Sequence, residues 1–230
     1  MKKAPEDWVW IEHTSRNPLV YEEANYARGL QGYAMRASHS LLERDLNSSD
    51  YFGSVLEVGA GTGNHFRFVK HAFDSYTMTD IDEDALKVSK SRYADKRISI
   101  EREQGTALSY PNDTFDRLIA VHVLEHLPQP HLVLREWTRV VRSGGVISIL
   151  IPTDPGLAWR LGRNLGPKQR FNKRFGNYDY IMAREHINSC INLVSLINHE
   201  FESQKLNWWP FLIPSVDINL FVSINIKISK

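Results

Sequence analysis

Apolar and polar positions change period several times along the chain. Residues 19–46 are rich in Tyr, Ala, Arg, Glu and Leu, with two glycines and no proline, which predicts one or two helices ahead of the first strand. Asn47-Ser48-Ser49-Asp50 breaks that pattern. A short β-favouring run at 54–58 ends in a glycine cluster, and 64–73 is expected to form the helix that follows it. Strands are expected at 75–79, 97–102, 115–123 and 146–151, and helices at 82–93 and 130–141, the latter stopped by Ser143-Gly144-Gly145. The run at 115–123 is strongly apolar and β-branched, as a strand covered on both faces of a parallel sheet should be. Strands and helices alternating at this spacing predict a parallel α/β sheet.

The pattern then changes. Between Asp154 and Asp179 no acidic residue occurs, yet Arg160, Arg163, Lys168, Arg170, Lys173 and Arg174 fall there, so this stretch is expected to be an insertion and not a sheet element. Helical period returns over 180–201 through Ile187, Ile191, Val194 and Phe201. In the tail, Ile218, Leu220, Val222, Ile224, Ile226 and Ile228 alternate with mostly polar residues, which predicts an antiparallel strand closing a sheet edge.

Composition narrows the function classes. The 230 residues are 42% hydrophobic and 24% charged, enough for one substantial core. With 28 basic against 27 acidic side chains, the net charge of +1 gives no global field for nucleic acid, and no nucleic-acid partner is expected. The single cysteine, Cys190, cannot close an intramolecular disulfide, and no Cys/His group has metal-ligand spacing, so no metal is expected. Pro5, Glu6 and Asp7 stand where a signal peptide needs apolar residues, and no run of about eighteen apolar residues occurs, so a cytoplasmic protein without a membrane span is expected.

The chemistry centres on Val55-Leu56-Glu57-Val58-Gly59-Ala60-Gly61-Thr62-Gly63, where three glycines at alternate positions follow the first strand and leave the backbone open to close approach by a ligand. A dinucleotide fingerprint wants its next glycine where Asn64 stands, and a P-loop needs a Lys-Ser/Thr pair that is missing. Asp80, about twenty residues on at the end of the second strand, is placed to accept both hydroxyls of a ribose. Asp82 is better suited to capping the next helix.

Leu56 to Gly63, Thr79-Asp80-Ile81, the turn from Tyr110-Pro111 to Asp116, His122-Val123-Leu124-Glu125-His126-Leu127, and Arg139 to Gly145 occur in the order found in the class I S-adenosylmethionine-dependent methyltransferases. The chain resembles that family over roughly residues 50–152, and within it the small-molecule branch called methyltransferase type 11. The resemblance implies a Rossmann-like seven-stranded sheet, mostly parallel with an antiparallel C-terminal strand and helices on both faces. It implies one methyltransferase domain over 1–230: an N-terminal helical cap (1–49), a cofactor-binding core (50–152), a basic, helical acceptor-side lid (153–200) and a C-terminal hairpin (201–230).

Carried over by position, the resemblance implies that S-adenosyl-L-methionine lies along Gly59, Ala60, Gly61 and Gly63, with Asp80 and Ile81 at the ribose and S-adenosyl-L-homocysteine as product. Glu57 would meet the methionyl ammonium, or else hold the glycine turn by hydrogen bonds. Many relatives carry an acid where this chain has Thr106; its hydroxyl and the Ala107 amide are the expected adenine contacts. Arg28 or Arg36 is expected to reach the cofactor carboxylate.

A sulfonium methyl is already electrophilic, so catalysis needs mainly alignment, and a hydroxyl acceptor adds a need for a base. His122, at the end of the fourth strand beside cofactor and acceptor, His126, one helical turn on, and His186, after the basic stretch, are the candidates. Glu125 and His126 are alternatively a structural pair. Acceptor-side cover is expected from Trp8, Trp10, His13, Tyr21 and Tyr26 and from the basic segment. The expected reaction is methyl transfer to O or N of a small-molecule acceptor, such as a sugar or anionic metabolite. The alternatives are a lipid-headgroup or protein acceptor, with the basic segment and Trp208-Trp209 as a peripheral membrane or partner contact, and a non-catalytic cofactor-binding scaffold.

Overall fold

The computed structural model describes residues 18–26 and 29–230. Helices α1 (Pro18–Tyr26) and α2 (Leu30–Leu42) precede strand β1 (Tyr51–Val58). There follow β2 (Ala72–Asp80), α3 (Glu83–Arg92), β3 (Ile98–Arg102), β4 (Phe115–Val121), α4 (Pro130–Val140) and β5 (Val141–Pro152). Four helices come next: α5 (Leu157–Asn164), α6 (Pro167–Phe175), α7 (Tyr178–Glu185) and α8 (Cys190–Glu200). Strands β6 (Gln204–Trp209) and β7 (Phe221–Lys227) complete the elements.

The strands form one seven-stranded sheet in the order β3-β2-β1-β4-β5-β7-β6. The first five are mutually parallel, β7 is antiparallel to β5, and β6 is antiparallel to β7. The chain winds outward from β1 in one direction and from β4 in the other, so a crevice opens at the carboxyl ends between those two strands. Successive β1 residues alternate between two covered faces. Leu56, Leu118, Ile147 and Val222 pack with Trp137 of α4 and Leu193 of α8, while Val55, Tyr76, Ile119 and Phe221 pack with Leu41 and Leu42 of α2. Coverage on both sides explains the continuous apolar runs of β4 and β5.

Four expectations are corrected. No helix follows the glycine loop: Ala72 and Phe73 pair with Tyr51 and Phe52 in the sheet. The residues left between hold only a 3-10 turn, Phe66–Phe68, and α2 from upstream covers this face instead. Ser143-Gly144-Gly145 does not stop a helix; it lies inside β5, where the register against β4 shifts, and a Cβ on Gly145 would come 2.7 Å from the Asp116 carbonyl. The helix expected over 180–201 is two helices, because Asn188 is pinned to the carbonyls of Leu124 (3.0 Å) and Leu127 (2.8 Å) and Ser189 caps α8. The tail strand is not at the edge. β6 takes the edge, and both faces of β7 are covered, Phe221 and Ser223 being buried as well as Val222, Ile224 and Ile226. The basic stretch contributes no strand, as expected, but is helical. Trp8, Trp10, His13 and Arg28 lie outside the described residues.

Candidate functional site

The three glycines after β1 all have left-handed backbone: φ is +69° at Gly59, +55° at Gly61 and +76° at Gly63. Their surroundings differ. A Cβ at Gly59 would meet Val123 Cγ2 at 2.3 Å and one at Gly63 would meet the Tyr93 ring at 2.5 Å, whereas at Gly61 nothing lies within 4 Å. Gly61 is therefore the glycine whose bare face opens on space, and Gly63 faces Tyr93. The loop is fixed by its own polar groups: Ala60 N–H donates to the Thr79 carbonyl (2.8 Å) and Ser89 Oγ to the Gly61 carbonyl (2.8 Å).

Asp80, the last residue of β2, accepts from Gly61 N–H at 2.7 Å with one oxygen and from Asp82 N–H at 2.9 Å with the other. Asp82 caps α3, accepting from the Asp84 and Ala85 amides. Burial raises the Asp80 pKa above the ordinary aspartate value, against the pull of those backbone donors. Glu57 is buried and accepts the Tyr76 hydroxyl at 2.6 Å; burial raises its pKa too.

These groups border a cavity of about 290 Å³ at the strand tips. Glu57, Gly59, Ala60, Gly61 and Asp80 line it together with Tyr26, His39, His65, His122, His126 and Glu185. Helix α1 crosses above, held by Glu22, which accepts from Thr62 Oγ1 (2.8 Å) and pairs with Arg92 (2.8 Å).

Some expected residues are elsewhere. Ile81 is 62% exposed, and neither it nor Gly63, Thr106 or Ala107 lines the cavity. The Ala107 amide, expected at a bound ring, donates to the Gln104 carbonyl at 2.9 Å. Arg36 donates to the Tyr26 carbonyl at 2.9 Å.

Among the three histidines, His122 has φ +57°, a strained conformation for a bulky side chain. Its Nε2 lies 3.3 Å from Ser38 Oγ and its Nδ1 3.6 Å from Glu125. His126 Nδ1 donates to the Glu185 carbonyl at 2.8 Å, and burial lowers its pKa. His186 does not line the cavity; its Nδ1 is 3.2 Å from Asp154 and its ring stands edge-on to His126. Glu125 and His126 are thus not paired with each other by a hydrogen bond. Among the described residues no group of three or more His, Cys, Asp or Glu side chains is arranged to hold a metal ion.

Four residues of this region were not singled out from sequence. His39 Nε2 is 2.6 Å from Tyr26 Oη, His39 Nδ1 is 3.0 Å from His65 Nδ1, and His65 Nε2 is 3.1 Å from Glu43 Oε1. Arg117 clamps Glu43 with two hydrogen bonds, of 3.0 and 2.6 Å. The sequence carried one hint: Arg117 interrupts an apolar strand, and a buried cation requires a partner.

The profile of a family described as methyltransferase domain matches residues 56–149. Over 104 residues the chain is 35% identical to 2-methyl-6-phytyl-1,4-hydroquinone methyltransferase 1 of Oryza sativa, covering 44% of this chain and 31% of that protein. It is 29% identical over 102 residues to phosphatidylethanolamine N-methyltransferase of Cereibacter sphaeroides, covering 43% of this chain and 50% of that one. The matched segments thus span half or less of these curated relatives. A possible histamine N-methyltransferase of Thermotoga maritima superposes with a TM-score of 0.63 at 16% identity, over 95% of this chain and 99% of that one. N-methyltransferase NodS of Bradyrhizobium japonicum, in complex with S-adenosyl-L-homocysteine, gives 0.60 at 15% identity, over 93% and 100%. At these identities the two structures share the fold.

Proposed function

We propose that the chain, whose residues 56–149 match a methyltransferase domain family, transfers a methyl group from S-adenosyl-L-methionine to oxygen or nitrogen of a small-molecule acceptor. The observation that carries this reading is the pairing of Gly61 with Asp80 across the cavity mouth. A carboxylate offers about four acceptor positions. The two backbone amides hold the Asp80 carboxylate in place and leave a lone pair on each oxygen for a vicinal diol. The open face of Gly61 admits the chain beside it, as a Cβ there would stand in the space the ligand needs. Glu57, buried against Tyr76, is the counter-charge for an ammonium group, whose binding offsets the desolvation of the carboxylate.

The donor supplies an electrophilic methyl and leaves as a neutral thioether. What remains for the protein is to hold the acceptor in line with the breaking bond, exclude water and take a proton. His122 and His126 line the cavity, as do Pro18 and Tyr26 of α1.

Calorimetry with S-adenosyl-L-methionine tests the reading. The parent chain is expected to give a binding heat, and Asp80→Ala to weaken affinity by about 10- to 100-fold, the range for losing hydrogen bonds to a charged group. Absence of heat with the parent ends the methyltransferase reading. Heat without transfer of labelled methyl to any acceptor would favour a scaffold.

A second acceptor class has its own observation. Leu157 and Leu161 of α5 and Leu165 at its C-cap, spaced four residues apart, are all exposed, as are Phe211, Leu212 and Ile213. Arg160, Arg170 and Lys173 are exposed in the same two-helix segment. An apolar strip with cations beside it suits an anionic lipid surface and a headgroup acceptor. Among the described residues no helix is long and apolar enough to cross a membrane.

A further inference from the structure

The line from Glu43 to Tyr26 has a direction. Arg117 donates to both oxygens of Glu43, and both side chains are fully buried. A carboxylate so clamped is ionised and only accepts, so His65 Nε2 carries a hydrogen and donates to it. Taken as the neutral tautomer, His65 accepts at Nδ1 from His39 Nδ1–H. The same bookkeeping leaves His39 Nε2 bare, facing the Tyr26 hydroxyl, which donates to it. The His39 ring is 2% exposed and stacks on Phe68 at 4.9 Å and 10°. The groups around it are Tyr26 from α1, His65 and Arg67 from the segment after β1, and His122 from the end of β4. Burial, then His65, His122 and Arg67, hold the imidazole well below its ordinary pKa, which keeps the ring neutral at rest and makes it a weaker base than a free imidazole. Tyr26, His39 and His65 all line the cavity that Gly61 and Asp80 border.

We propose that Tyr26 is the group that takes the acceptor's proton, with His39 Nε2 behind it as the base and His65 and Glu43 as positioning residues that fix the His39 tautomer. This role rests on the methyl-transfer reading above. As the acceptor X–H gives its proton to Tyr26 Oη, the hydrogen already on Tyr26 moves to His39 Nε2. The electron pair left on X forms the bond to the methyl carbon, and the pair of the broken S–C bond stays on sulfur. The positive charge that began on the sulfonium ends on the His39 imidazolium, so no further reactant is needed. His122, tied to Ser38 and Glu125, is then a wall of the acceptor site and not the base.

Two measurements test this on the full chain. Long-range ¹H–¹⁵N correlation on histidine-labelled protein is expected to show His39 protonated at Nδ1 and bare at Nε2 at neutral pH, with the Nε2 resonance shifted in Tyr26→Phe. A hydrogen on Nε2, or an imidazolium, overturns the proposal. For turnover, labelled S-adenosyl-L-methionine is supplied with methylhydroquinone or with phosphatidylethanolamine vesicles as the acceptor probe. Tyr26→Phe and His39→Asn are expected to lower kcat about 10²- to 10⁴-fold. The Asn amide still supplies a donor toward His65, which protects the fold, and the binding heat with S-adenosyl-L-methionine is retained. Unchanged kcat in either variant overturns the proposal. If the parent binds the donor but methylates neither probe, the His39 tautomer decides the matter by itself. If the parent gives no binding heat, the methyl-transfer reading fails instead.

Discussion

The buried pair of Glu43 and Arg117 makes a quantitative demand on stability. Both side chains are inaccessible to water, joined by two hydrogen bonds, with Arg117 Nε also donating to Ser148 Oγ at 3.0 Å and His65 meeting Glu43 at 3.1 Å. Glu43→Gln keeps the shape but leaves the guanidinium buried without its anion. Removing one partner of such a pair costs about 3–5 kcal/mol. For a chain of this length each kcal/mol lowers Tm by about 2–4 °C, so the variant is expected to melt roughly 6–20 °C below the parent. The double variant Glu43→Leu, Arg117→Met removes both charges and should recover most of that loss, because neither desolvation cost remains. A pH series sharpens the test. Burial opposes ionisation of Glu43, but the Arg117 cation and the hydrogen bonds from His65 and Arg117 outweigh it and hold the carboxyl well below the usual range. Its contribution is fully present above the unfolded pKa of about 4.3 and is lost as pH falls below that value. Urea titrations from pH 7 down to pH 3 should show this decline in the parent and a shallower one in Glu43→Gln. A loss under about 1 kcal/mol at pH 7, with parallel pH profiles, would refute the reasoning.

Two further outcomes follow from local geometry. Gly59→Ala places a Cβ 2.3 Å from Val123 Cγ2 in a left-handed conformation and is expected to cost about 1–3 kcal/mol for the backbone alone. Gly61→Ala meets no atom, so it should melt closer to the parent and yet bind S-adenosyl-L-methionine more weakly; scanning calorimetry and titration separate the two effects. In cosedimentation, the parent should pellet with vesicles containing phosphatidylglycerol and not with pure phosphatidylcholine, and Arg170→Glu with Lys173→Glu should abolish the difference. Equal pelleting with both lipids, or none, removes the headgroup reading.

The sheet was legible in sequence because its strands are covered on both faces, which writes long apolar runs into 115–121 and 146–151. Asp82 was legible as a cap because its neighbours are the start of a helix. The expected helix after the glycine loop failed because residues 72 and 73 are claimed by pairing with β1, a contact that local pattern does not record. His39, Glu43 and His65 were not legible as a group at all. Each occurs singly in an ordinary local setting, and only the packing of α2 across the sheet brings them to Arg117, 74 residues away from Glu43 in the chain. The cavity's glycine and carboxylate rim, by contrast, is built from two short segments at neighbouring strand tips, so spacing alone located Gly61 and Asp80.

Because β7 is inserted between β5 and β6, the ribosome makes the sheet out of order. When β5 emerges, its free edge, Val146 to Pro152, has no partner until Phe221 to Lys227 has been synthesised. At about 5–20 residues per second that interval is roughly 3–14 s. Through it the nascent chain displays an apolar, hydrogen-bonding border to every other chain nearby, which makes this border the natural point of chaperone capture or of aggregation during biosynthesis.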